Sequence, residues 1–361
     1  MVPNLRAFTA SIRLIACLQM DGTELLPHER NPAMSMQLAL SVMLIASTLA
    51  ASPAAKGPGC AGKAYVVNSG SASVSVIDLA TRRVIQTIAV DKHPVNPTFS
   101  PDRSRLYVAN STEGTISAID PTSDNVVATI KTGAPKPSGM AFTPDGKRLV
   151  VTLLGETIHM PGAVQVIELA TGTLGPIVPL QAQPERLALT PDGKRAYIGN
   201  LLAKSMSVFD VESGTVVATI SLDAYPFNVL MAPDGRLAYV GHVKSDNIGV
   251  IDTATNTLVR SIKTEAGPNG MAFAPDFRSI YVTNVYAGNV SQIDLDSGRA
   301  LNIADAGKLP GYIALTADGR QAMFMRPYGN SVSIIDTATL ATLATIPVGE
   351  GPSTVAICTA P

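Results

Sequence analysis

Tryptophan is absent from the 361 residues, and cysteine occurs only three times. The first absence counts against repeat architectures that build each unit on docked tryptophans or on a Trp-Asp pair. Charge is also scarce. Charged residues make up 15%, with 27 Lys plus Arg against 28 Asp plus Glu, so no long-range field gathers polyanions and nucleic acid is not an expected partner. No Cys-x-x-Cys-His haem attachment, Gly-rich phosphate loop or Gly-x-Ser-x-Gly nucleophile elbow is present, and no cofactor is expected. What the chain has in quantity is apolar character, 46% of its residues, which is enough for a sizeable core.

One apolar run stands out, from Leu38 to Leu49. It has the length of a signal-peptide core and falls short of a transmembrane span. Small residues follow it at Ala50, Ala51, Ser52, Ala54 and Ala55, so cleavage is expected between Ala50 and Ala55. A start at Met34 or Met36 supplies no Lys or Arg ahead of the run, whereas a start at Met20 adds Arg30. Residues 1–33 are accordingly read as an over-extended start without a role in the fold, 34–55 as a signal peptide, and 56–361 as one domain. Leu14-Ile15-Ala16-Cys17 resembles a lipoprotein box, but Arg13 interrupts the apolar stretch such a box needs. The expected location is periplasmic or secreted, with no transmembrane segment in the mature chain.

The rest of the chain is a repeat. An acid closing a Val-Ser-Val-Ile-Asp-like run recurs at Asp78, Asp120, Glu168, Asp210, Asp252, Asp294 and Asp336, in steps of 42 except for one of 48. Thirteen residues earlier stand Tyr65, Tyr107, Tyr197, Tyr239, Tyr281 and Met323; unit three has Leu149 there, nineteen residues before Glu168, because of a six-residue insertion. A proline recurs at Pro94, Pro137, Pro184, Pro226, Pro268, Pro310 and Pro352. In unit two, alternating or apolar segments at 106–109, 115–119, 126–130 and 139–142 are separated by turn residues, which reads as four short antiparallel strands. A lone sheet of that kind cannot bury both faces. Seven stacked around an axis can, so the expected fold is an all-β, seven-bladed propeller of four-stranded antiparallel blades.

The unit also resembles the YVTN-family β-propeller repeat, whose tetrapeptide stands at Tyr281-Val282-Thr283-Asn284, with variants at Tyr65–Asn68, Tyr107–Asn110, Tyr197–Asn200 and Tyr239–His242. The resemblance covers residues 64–358. It implies a seven-bladed propeller, usually exported or surface-associated, whose members serve as binding or surface proteins without a common catalytic set.

The repeat begins on a Tyr-Val-Val-Asn strand and ends on Pro352–Ile357, the counterpart of an innermost strand, so the first blade should be assembled from both ends of the chain. In the same register Cys60 and Cys358 fall two residues apart in what is elsewhere a continuous turn. A disulfide between them is expected.

Most conspicuous residues have plain explanations. The seven acids sit far apart on a ring and are followed by Thr or Ser, as in Asp252-Thr-Ala-Thr255, which marks Asx-type turns and not a metal site. Met323 and Met325 read as core filling and not as copper ligands. More informative are units that break the pattern. At the asparagine position the series reads Asn68, Asn110, Thr152, Asn200, His242, Asn284, Arg326; two residues after the repeated proline it reads Asn96, Gly139, Arg186, Asn228, Gly270, Tyr312, Thr354. Both positions lie toward one face. Arg186, His242, Tyr312 and Arg326 are therefore expected to converge on the mouth of the central channel, with Asn96, Asn228 and Thr354 supplying hydrogen bonds. Glu185, beside Arg186, could pair with it.

The leading functional expectation is a non-enzymatic, monomeric, exported binding protein or scaffold, holding a small anionic ligand or a protein or peptide partner at that mouth. One alternative is a lactonase-like hydrolase or lyase with His242 as base and Arg186 and Arg326 stabilising negative charge. A DNA- or cell-surface-binding module is another.

Overall fold

The computed structural model describes residues 59–358; the expected leader, its cleavage region and Cys17 lie outside them. Seven antiparallel sheets follow one another around a central axis. In blade two the strands from axis to rim are Pro94–Phe99, Leu106–Asn110, Thr115–Asp120 and Asn125–Lys131; the last three are the segments expected at 106–109, 115–119 and 126–130, whereas the fourth expected segment, 139–142, lies in Pro137–Phe142, the innermost strand of blade three. The second and third strands lie between neighbouring blades and are buried almost throughout, while an outer strand such as Thr215–Ser221 alternates exposed with half-buried residues, as an edge must.

The core is divided into seven layers, one between each pair of adjacent blades. Between blades one and two, for example, Tyr65, Val67, Val74 and Val76 meet Leu106, Val108 and Ile119. Each fully buried aliphatic side chain contributes roughly 1.5–3 kcal/mol relative to exposure. Tyrosines at the start of the second strand add a polar latch to the next blade. Tyr65 Oη donates to Asp124 Oδ1 at 2.6 Å, Tyr197 Oη meets Asn256 Oδ1 at 2.7 Å, and Tyr281 Oη donates to the Thr337 carbonyl at 3.1 Å. Lys63 completes the first latch with an ion pair to Asp124 at 2.7 Å.

Ring closure follows the register of the repeat. Pro352–Ile357 pairs antiparallel with Lys63–Asn68, which continues to Ser73–Asp78 and Arg83–Ala89. Cys60 and Cys358 are buried and disulfide-bonded, their Cα atoms 5.7 Å apart across a sequence separation of 298. Closing so long a loop corresponds to roughly 5–6 kcal/mol in the chain-entropy account.

Blade three departs from the expected register. Pro137 pairs with Leu153 as Pro268 pairs with Asn284, so Val150 and not Leu149 occupies the tyrosine position, and Leu153 and not Thr152 the asparagine position. The extra residues are split: one precedes Pro137 and the others enlarge the loop 154–160. The outer strand of this blade is also broken into Thr173–Leu174 and Val178–Ala182, both pairing with Pro161–Glu168. No helix of the described residues is long and apolar enough to cross a membrane.

Candidate functional site

The six aspartates among the seven acids that close the third strands are used by their own turns. Asp252 Oδ1 accepts the Thr255 backbone N–H at 2.9 Å and Asp336 Oδ1 that of Thr339 at 2.9 Å. Those hydrogen bonds hold the Asp252 carboxyl below its usual range.

The asparagine column lies inside the blades. Asn110 Nδ2 donates to Thr115 Oγ1 at 3.0 Å and Ser117 Oγ at 2.9 Å, tying the second strand to the third. Asn68 and Asn200 make the same pair of bonds to serines five and seven residues on, and Asn284 bonds Asn289 and Ser291. All four are fully buried. His242 keeps this direction. Its Nδ1 lies 2.7 Å from Asn247 Oδ1, five residues on, and at the seventh residue a glycine replaces the serine. A Cβ on Gly249 would stand 2.7 Å from His242 Cε1, so the imidazole fills the place of the missing side chain. With Nδ1 donating to the amide oxygen, Nε2 is a buried lone pair without a partner. Burial pushes the His242 pKa down and keeps the ring neutral.

Arg326 likewise stays with its column. Its Nη2 lies 2.7 Å from where a Cβ on Gly307 would be, and Asn68 makes the corresponding approach to Gly349, each glycine lying in the loop that leads into the inner strand of that residue's own blade. His242 and Arg326 therefore do not join Arg186 in the channel. Repeat register shows the end of the blade at which a residue lies, whereas the pleat decides whether its side chain runs outward along the blade or inward to the axis.

The inner-strand column does converge. Arg186 of blade four reaches across to blade two, where its Nη1 donates to Asn96 Oδ1, and its guanidinium carbon lies 4.2 Å from the ring centroid of Tyr312 of blade seven. The Asn96 backbone N–H donates to Thr354 Oγ1 of blade one at 3.2 Å. Tyr312 and Phe227 of blade five have centroids 6.2 Å apart. Asn228 differs, since its Oδ1 is engaged at 2.9 Å by the N–H of Val229 in its own strand. Glycine at the other two positions makes this closure possible: a Cβ at Gly270 would stand 2.8 Å from Tyr312 Cα, and one at Gly139 3.2 Å from Arg186 Cα. Leu201, Phe227, Val243 and Val285 form a separate apolar cluster beside the mouth, with Tyr225, Leu309 and Tyr312 packed on it.

Arg186 is 6% exposed, and its Nε is buried without a hydrogen bond. None of the four ion pairs among the described residues includes it. Glu185 makes no ion pair with it; its carboxyl group accepts bonds from Ser138 Oγ at 3.2 Å and Gln183 Nε2 at 3.0 Å. Its carboxyl is pushed up by burial, against the opposing pull of the Gln183 bond and the Arg186 charge. The Tyr312 hydroxyl has no partner either, and burial pushes its pKa up to about 12. Asn269, buried on the inner strand of blade six, leaves its Oδ1 unpaired. Asn269 could not be read from the repeat; the paired glycines at 139 and 270 were the available sign that two long neighbours close over the axis.

A family model described as YNCE-like β-propeller matches residues 33–160 and 220–361. The chain belongs to the YNCE-like β-propeller family. Arg186 falls in the stretch between the two matched segments, so family membership leaves its role open. No curated protein matches the chain in sequence. Among solved structures, this YNCE-like propeller is similar to a functionally unknown protein from Desulfotomaculum acetoxidans (TM-score 0.73, 18% identity, covering 83% of this chain and 100% of that one). It is similar to a periplasmic gluconolactonase from Pseudomonas aeruginosa (TM-score 0.69, 20% identity, 83% and 99% covered). Hydrazine synthase of Kuenenia stuttgartiensis is a third (TM-score 0.68, 22% identity, 79% and 96% covered). At these identities the likeness is one of fold.

Proposed function

We propose that this YNCE-like propeller is an exported, non-enzymatic binding protein whose ligand is a small anion held by Arg186 at the channel mouth. One observation carries the reading: a buried guanidinium on the axis with no carboxylate opposite it. A buried cation is costly unless paired, and Nε alone, a desolvated donor without an acceptor, costs on the order of 1–3 kcal/mol. An anion delivered to this point recovers that cost. Asn96 and the Tyr312 ring hold the guanidinium in place beforehand, which lowers the entropy lost on binding. The hydrolase alternative needs His242 beside Arg186 as a base, and His242 is enclosed within blade five, so binding is preferred to hydrolysis. Export is supported by the Cys60–Cys358 disulfide, which requires an oxidising compartment, and by the likeness to a periplasmic gluconolactonase. The Leu38–Leu49 run, cut between Ala50 and Ala55, is the proposed export signal, and the YVTN-type repeat the proposed finer description of the family.

The test is thermal unfolding in chloride against acetate, succinate, phosphate and sulfate at matched ionic strength. At least one of these anions should raise the melting temperature of the wild-type protein. Arg186→Gln should melt at the same or a higher temperature in chloride and lose the anion response, while Arg326→Gln keeps it. Equal anion responses in wild type and Arg186→Gln would place the site elsewhere.

A further inference from the structure

We infer that the anion is a carboxylate, bound edge-on by Arg186 and selected over tetrahedral oxyanions. This rests on the reading of Arg186 as the anion site and adds the ligand's chemical class.

A guanidinium can be approached on its faces or along its edges. One face of Arg186 is covered by the Tyr312 ring, 4.2 Å from the guanidinium carbon, and Nη1 is committed to Asn96 Oδ1. The Asn96 contact is itself anchored, because the Asn96 backbone is fixed to Thr354 at 3.2 Å. What remains is the edge carrying Nε and Nη2, and Nε is the atom buried without a hydrogen bond. Those two N–H groups run parallel, about as far apart as the two oxygens of a carboxylate, so the pair forms two parallel hydrogen bonds in one plane.

A phosphate or sulfate could use the same edge with two of its oxygens. Its other oxygens then need donors or water, and the surroundings provide few. The Tyr312 ring that covers the guanidinium packs on Phe227, their centroids 6.2 Å apart, and on the apolar cluster of Leu201, Val243 and Val285. The unpaired hydroxyl of Tyr312, whose ring lies against Arg186, is a further donor. Doubly charged phosphate or sulfate also brings one charge more than the Arg186 guanidinium itself neutralises. A monoanionic, planar carboxylate with a small apolar body satisfies the edge, balances the charge and leaves no oxygen stranded.

The experiment compares acetate with phosphate and sulfate on the full mature chain, by thermal shift at matched ionic strength and by titration calorimetry. It uses wild type, Arg186→Lys and Arg186→Gln. Lysine keeps the charge but loses the planar fork. Acetate should bind wild type with at least about tenfold preference over either tetrahedral anion, and Arg186→Lys should lose about tenfold in acetate affinity. Tyr312→Phe, which keeps the stack and removes the unpaired hydroxyl, should leave the free protein equally or more stable, so a folding failure at residue 186 does not confuse the result. If wild type binds phosphate or sulfate as well as acetate, or if Arg186→Lys binds acetate like wild type, the carboxylate assignment is overturned while the anion site stands. If no anion binds wild type more than Arg186→Gln, the anion site itself fails.

Discussion

Two columns of residues run around this propeller toward the same end, and both are interrupted by ionisable side chains. In the asparagine column the interruptions, His242 and Arg326, remain part of the wall: His242 takes over a hydrogen bond and the volume of an absent serine, and Arg326 lies on Gly307 as Asn68 lies on Gly349. In the inner-strand column Arg186 and Tyr312 leave the wall and meet across the axis. A broken repeat position is thus a sign of function only where the strand turns the side chain away from its own blade.

The comparison breaks most sharply at Asn110. Asn110→Ala removes two buried hydrogen bonds from a fully buried site and leaves Ser117 without that donor. Denaturant unfolding should show a loss of about 2–3 kcal/mol. Arg186→Gln, also at a buried position, should cost nothing measurable or stabilise. Equal losses at the two positions would mean that both columns are structural.

A smaller effect tests whether His242 belongs to the wall. His242→Asn alone restores the column's residue but leaves Gly249 opposite, with no serine for it to bond. Adding Gly249→Ser rebuilds the Asn-Ser pair found at Asn200 and Ser207. The two changes should be coupled by about 1 kcal/mol, the double variant being the more stable than either effect alone predicts. His242 also has a pH signature. Its folded pKa lies below the ordinary 6.5 because of burial, so the unfolded chain takes up the proton first. Stability should fall as pH drops below about 6.5 and the fall should end below the folded value; in the double variant this part of the acid slope disappears.

Most of the fold was legible in the sequence because a seven-times repeated register leaves little freedom. The acids, prolines and tyrosines placed six blades, the two chain ends identified the seventh, and the same register brought Cys60 and Cys358 together. Blade three was misread by one residue because its extra length is divided between two loops and no tyrosine marks its second strand. The site was half legible. Side-chain direction at a strand end depends on the pleat and on bulges, such as the one at Asn96, whose φ of +51° breaks the pairing of the inner strand. For His242 a sign was present all the same: the change from Asn to His coincides with the change from Ser to Gly seven residues later.

The smallest expected effect distinguishes the two columns by its sign. Glu185 is a buried carboxyl of the inner strand, and its folded pKa is raised by burial above the ordinary 4.5. Between those two values the folded protein holds a proton that the unfolded chain has released. Its contribution to stability is therefore complete below about pH 4.5, declines as pH rises toward the folded value and is level above it, opposite in direction to the contribution of His242. Glu185→Gln keeps the size of the side chain, and the Ser138 hydroxyl can turn to accept from the new amide. The variant should match wild type near pH 4 and exceed it in stability at pH 7, measured by denaturant unfolding at a series of pH values. It also removes the one carboxyl adjacent to Arg186, so acetate affinity should be unchanged or higher. A variant that is less stable than wild type at pH 7 would show that Glu185 is ionised and that its charge, not a ligand, compensates Arg186.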